Sequence, residues 1–139
     1  MTTNRLAEPS GPQSFTSNLS RDVFLIIDAL PDGVYGVDHR GRTVFVNRAG
    51  ASLLQFEPHE LIGRVPHQVM HHTRADGTPY PAHDCPLYQA SIEGREIRVE
   101  EDLFWRRDGT SFPVEYESHP LHRDGELVGF IVTFRDISS

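Results

Sequence analysis

Residues 71–90, HHTRADGTPYPAHDCPLYQA, hold three of the chain's eight histidines, three of its ten prolines and its single cysteine. His71, His72, His83, Asp84 and Cys85 are donor types that serve several chemistries. A structural zinc site takes about four Cys, His or acidic ligands in tetrahedral array. His71 or His72 with His83, Asp84 and Cys85 supply the types, but within this stretch no CxxC or HxxxH spacing occurs. Its glycine and prolines order it by turns alone, so no metal site is assigned. A thiol in the first turn of a helix feels unpaired N–H groups and the positive dipole end, which lower its pKa. Cys85 beside His83 is therefore a redox candidate, weighed against a small apolar residue pinning the helix to the core. Nothing marks an oxyanion hole or an orienting third residue for a Cys-His hydrolase, so no catalytic residue is assigned.

The elements that must position this loop follow from periodicity and punctuation. Residues 1–17 are rich in Ser, Thr, Pro, Asn and Gly and are expected to be a disordered tail. Residues 18–31 read as a flanking helix whose apolar stripe is Leu19, Val23, Ile26, Ile27 and Leu30, capped by Ser17 or Ser20 and ended by Pro31. Residues 32–139 form the main domain. GVYGVDHRGRTVFVN alternates about a turn, Asn47 caps the helix RAGASLLQF, and EPHELIGR begins with Pro58 and stops at Gly63. CPLYQASIEG reads as a short helix with Asp84 as its cap and Gly94 as its stop. Three long runs rich in aromatic and β-branched residues close the chain, separated by Asp108-Gly109 and Asp124-Gly125. Two strands, then helices, then three strands imply an α+β fold: a five-stranded antiparallel sheet with short helices on one face. In the middle run, Phe112, Val114 and Tyr116 share one face, with Ser111, Glu115 and Glu117 on the other.

Composition sets outer bounds. A chain of 139 residues suffices for one core. No apolar run approaches the ~20 residues that span a bilayer, and the N-terminus carries no export signal. One cysteine suits a reducing cytoplasm. The net charge of −7, with scattered basic residues that are all Arg, argues against a nucleic-acid surface.

This order of elements resembles the PAS sensor family over about Leu19 to Ser138. LPDGVYGVDHRGRTVFVNRAGASLLQF is similar to its first hairpin and core helix, and HELIGR to the short helix that follows. FWRRDGTSFPVEYESHPLHRDGELVGFIVTFRDIS resembles its three closing strands, with RDIS where Asp-Ile-Thr usually stands. The resemblance implies a bacterial, cytoplasmic, non-catalytic sensor that responds to a small ligand or redox cue and forms a homodimer. It relays to an effector such as a histidine kinase, phosphatase or transcription regulator, as in two-component systems. The stripe on the flanking helix is the expected dimer contact. Asp136 matches the aspartate that ties the core to the outgoing linker, and Glu60 with Arg135 suits a link between helix layer and sheet. No cofactor is required. Haem on His83 is one alternative, because haem-binding relatives place a His-Asp pair at this point, although no distal arginine has a match. A ligand-free dimerisation module is the other. The Asn-Cys-Arg-Phe motif of flavin photoreceptors is absent.

Overall fold

The structure, a computed structural model, describes residues 18–138, with side chains from residue 22 onward. The expected tail over 1–17, the cap at Ser17 and the side chain of Leu19 lie outside the described residues. The first helix, α1, spans Asn18–Ala29. Ser20 therefore sits inside it and is not its cap. Val23 and Ile26 are exposed along it, Leu30 is exposed just past its end, and Ile27 is half-buried. The chain divides between Pro31 and Asp32 into two compact units.

In the second unit, β1 (Gly33–Asp38) and β2 (Thr43–Val46) form the opening hairpin. The chain then runs through α2 (Arg48–Leu54), α3 (Pro58–Leu61), α4 (Pro66–Met70), a 3-10 turn (Ala82–Asp84) and α5 (Pro86–Glu93). It closes with β3 (Ile97–Trp105), β4 (Ser111–Arg123) and β5 (Glu126–Asp136). Among the described residues the five strands make one antiparallel sheet in the order β2-β1-β5-β4-β3. No described helix is long and apolar enough to cross a membrane.

Local chemistry explains most boundaries. Asn47 caps α2: its Oδ1 accepts from Gly50 N at 2.9 Å and Val34 N at 2.8 Å, while its Nδ2 donates to Asp32 O at 3.0 Å. One buried amide thus ties a helix start to the first strand. α3 opens with Pro58 and a reciprocal Glu57–Glu60 capping box. Asp124 and Gly125 both have positive φ, 52° and 82°, as a two-residue hairpin turn of the twist-matching kind requires. α5 stops at Gly94 with φ of 69°.

The core lies between the sheet and the helices. Phe112, Val114 and Tyr116 face inward from β4 and are at most 2% exposed, packed with Phe104, Phe134, Leu54, Leu61 and Met70. Phe104 stacks on Tyr116 with centroids 5.4 Å apart. Each such side chain contributes roughly 1.5–3 kcal/mol when fully buried.

Two expectations are corrected. Asp84 does not cap α5. A 3-10 turn, closed by Asp84 N to Pro81 O and Cys85 N to Ala82 O, moves the helix start one residue on, and Cys85 becomes the cap residue. The Asp84 carboxylate instead accepts from Arg74 Nη2 at 2.9 Å. Glu60 does not meet Arg135 either. Glu60 pairs with Arg107 of the β3–β4 turn, and Arg135 pairs with Glu115, its direct cross-strand neighbour. Strand alternation is the reason: Phe134 faces the core, so Arg135 points from the other face of the sheet.

Candidate functional site

The site begins with α4, a helix with no counterpart among the expected elements. Its five residues start at Pro66, and His71 follows as the C-cap. His67 and His71, four residues apart, therefore fall on one side of one helical turn, with ring centroids 5.4 Å apart. His71 is 1% exposed.

The following loop folds back on itself. Arg74 N donates to Thr78 O, Tyr80 N to His72 O, and Thr73 bridges Pro79 in antiparallel fashion. Trp105 Nε1 donates to Thr73 O at 2.7 Å and fastens the loop to β3. This return brings the carbonyl of Tyr80 to within 2.7 Å of His67 Nε2. A carbonyl only accepts, so Nε2 carries the proton. His67 Nδ1 is then a bare lone pair, buried and without a hydrogen-bond partner.

Cys85 arrives from the start of α5, also 1% exposed, with Sγ 3.1 Å from His71 Nδ1. The other ring nitrogen of His71, Nε2, lies 3.0 Å from Asp102 Oδ2 but out of line for a hydrogen bond. Asp102 reaches this point through a bulge. Val99 pairs Tyr116 and Asp102 pairs Val114, so β3 carries one extra residue here. The bulge shifts the inward phase from Ile97 and Val99 to Asp102 and Phe104. Tyr116 Oη then donates to Asp102 Oδ2 at 2.7 Å. Cys85, His71, Asp102 and Tyr116 thus form one row from helix layer to sheet.

Electrostatics follow this row. Burial acts to lower the His71 pKa, but Asp102 and Cys85 at its two nitrogens outweigh it and raise it to about 9. Burial acts to raise the Asp102 pKa, but His71 and Tyr116 outweigh it and hold the carboxyl below its ordinary value. Burial, then Asp102, pushes the Tyr116 hydroxyl far up. Burial dominates at His67 and lowers its pKa despite the Tyr80 carbonyl.

His67, His71 and Cys85 line a cavity of about 740 Å³ between helices and sheet. Its other lining residues include apolar Val37, Leu87, Phe130 and Val132, polar Tyr35, Gln68 and Ser118, and the Asp38–Arg40 turn. A volume of this size falls within the range of small-molecule sites.

The residues singled out from sequence have different fates. Cys85 is in the site. His83 is not: its side chain is 76% exposed, 3.5 Å from Asp84, and it does not line the cavity. His72 stacks near Trp105 outside the row. Asp136 accepts from Ser138 N and Oγ at 2.8 and 2.6 Å and lies 3.6 Å from Arg106, holding the end of β5 to the β3–β4 turn. Glu60 and Arg135 belong to surface pairs.

Sequence reasoning missed His67, Asp102 and Tyr116 as site residues. The signals existed. His67-Gln68-Val69-Met70-His71 is an HxxxH pair straddling the start of the histidine-rich stretch. The phase change from Ile97 and Val99 to Phe104 demands an odd insertion, and hence a bulge. Asp102 is also the orienting third group beyond Cys85 and His71 that the sequence did not mark.

With this geometry in place, the relatives decide the family. The PAS fold family matches residues 21–137. The chain belongs to the PAS family. No curated protein matches it. Among solved structures, the PAS domain of an HTR-like protein from Haloarcula marismortui is similar, with a TM-score of 0.66 and 23% identity over 86% of this chain and 92% of that one. A domain of a sensory box sensor histidine kinase/response regulator from Geobacter sulfurreducens gives 0.65 and 22% over 85% and 94%. The PAS domain of nitrogen regulation protein NR(II) from Vibrio parahaemolyticus gives 0.62 and 17% over 83% and 97%. These likenesses establish the PAS fold and leave the content of its cavity to the residues described above.

Proposed function

We propose that this PAS domain is a sensory module that takes a small molecule in its cavity and relays occupancy to an effector outside this sequence. The observation that carries the reading is the cavity of about 740 Å³, walled by apolar side chains with a few convergent polar groups. A merely structural core would close such a space, because interiors pack densely. The relay leaves through β4 and β5, which supply Ser118, Phe130 and Val132 to the wall; β5 ends at Asp136, opposite Val114 near the start of β4. A histidine kinase, phosphatase or transcription regulator fits as effector, on the family's general role. Haem on His83 finds no support, since that imidazole stands outside the lining. Ser118→Trp should fill the cavity from β4. Mass analysis of organic extracts from purified protein should then show a small molecule with wild type that is missing from the folded variant. Equal extracts from both would remove the reading.

A second element of the proposal concerns α1. Val23 and Ile26 stand exposed on an amphipathic helix and Leu30 just past its end, more apolar surface than a lone helix ordinarily leaves in water. Self-association into a homodimer through this stripe would cover it. Val23→Asp with Ile27→Asp should give a folded monomer in sedimentation. An unchanged mass in the doubly substituted chain would exclude α1 as the contact.

A further inference from the structure

We propose that His67, His71 and Cys85 bind one divalent first-row transition-metal ion through His67 Nδ1, His71 Nδ1 and the Cys85 thiolate. One ligand atom from each of the three residues lies within 4.8 Å of the others. The stronger argument is how the remaining ring nitrogens are used. Metal-bound imidazoles characteristically give their second N–H to a carbonyl or carboxylate, which fixes tautomer and ring orientation. Here His67 Nε2 donates to the Tyr80 carbonyl at 2.7 Å, and His71 Nε2 lies 3.0 Å from the Asp102 carboxylate, beside it but out of line for a hydrogen bond. Tyr116 in turn holds Asp102 at 2.7 Å. His71 Nδ1 faces Cys85 Sγ, and His67 Nδ1, the nitrogen not engaged by Tyr80, is buried with no hydrogen-bond partner. A buried lone pair with no donor is costly unless something fills the position.

The spacing of Cys85 and His71 is close to what a metal needs, and His67 stands within 4.8 Å of both. Zinc–sulfur and zinc–nitrogen bonds of ~2.3 and ~2.0 Å place tetrahedral S and N ligands ~3.5 Å apart. Cys85 Sγ and His71 Nδ1 are 3.1 Å apart, so an opening of a few tenths of an ångström admits the ion. Metal then replaces the proton shared by sulfur and nitrogen, which is released to solvent. Two imidazoles and a thiolate suit ions of borderline softness, such as Zn²⁺ or Fe²⁺, over Mg²⁺ or Ca²⁺. Three protein ligands leave a fourth position, and all three line the cavity. This inference goes beyond the small-molecule reading and does not depend on it.

The test uses Co²⁺ alone, added to chain stripped by chelator. The expected result is one Co²⁺ per chain with intense visible bands and a sulfur-to-metal charge-transfer band in the near ultraviolet. Cys85→Ser should remove the charge-transfer band. Asp102→Asn, which touches no metal, should weaken affinity about 10–100-fold, as loss of an outer carboxylate does. Wild-type protein without a stoichiometric charge-transfer band would overturn the proposal, whether or not any variant folds. A band that persists in Cys85→Ser would overturn it as well.

Discussion

Removing a single oxygen from Tyr116 isolates the interaction that anchors the buried row to the sheet. In Tyr116→Phe the ring keeps its place, 1% exposed and stacked on Phe104 at 5.4 Å. Only the 2.7 Å bond to Asp102 Oδ2 is lost. Hydrogen bonds to charged groups contribute about 1.5–3 kcal/mol. Asp102 retains the Leu103 N–H at 2.8 Å and the His71 ring at 3.0 Å, so it is not left wholly unpartnered. That places the expected loss at the lower end, about 1.5 kcal/mol. Urea unfolding followed by far-ultraviolet circular dichroism should show this as a lower midpoint with an unchanged slope. Repeating the substitution in an Asp102→Asn background should cost clearly less, because the acceptor's charge is gone. A loss below about 0.5 kcal/mol, or the same loss in both backgrounds, would refute the reasoning.

Three further outcomes follow from particular contacts. Gly129→Ala should destabilise the domain by ~3 kcal/mol in the same assay, because its Cβ would stand 2.2 Å from the Val37 carbonyl oxygen across β1–β5. Asp84→Ala should change stability by less than about 0.5 kcal/mol, since its carboxylate makes only exposed pairs, with Arg74 and His83; a loss of about 1 kcal/mol would mean that it caps α5 after all. The His119 pKa is raised by Glu117 and then Glu96, at 3.0 and 2.9 Å. Its contribution is therefore full below the unfolded value of about 6.5 and is lost as pH rises through the folded value. His119→Gln should flatten the fall in stability across that window, and an NMR titration of the ring should show the raised midpoint.

Much of the architecture was legible because it rests on local signals that tertiary contacts do not override. Asp124-Gly125 between alternating runs specifies a tight hairpin, and Asn47 before an apolar run specifies a helix start. The inward face of β4 followed from simple alternation. The site was less legible, for three physical reasons. α4 is a single turn, too short for periodicity to announce it. The β3 bulge exchanges the two faces of the strand partway along, so Asp102 reads as an outward residue unless the phase change is noticed. At Asp84, preferred cap chemistry gave way to a 3-10 turn that follows Pro81. Cys85 was recognised, but its partner was not: the imidazole beside it comes from His71, fourteen residues earlier, and its neighbour in sequence, His83, turns to solvent.

The most direct test is a crystal structure of the chain purified without added ligand or chelator, with anomalous data collected at transition-metal absorption edges. The account predicts non-protein density in the cavity bounded by Ser118, Phe130 and Val132. It also predicts an anomalous peak within bonding distance of His67 Nδ1, His71 Nδ1 and Cys85 Sγ. A cavity that has closed on its own side chains, or holds only water with His71 and Cys85 still sharing a proton, would contradict it.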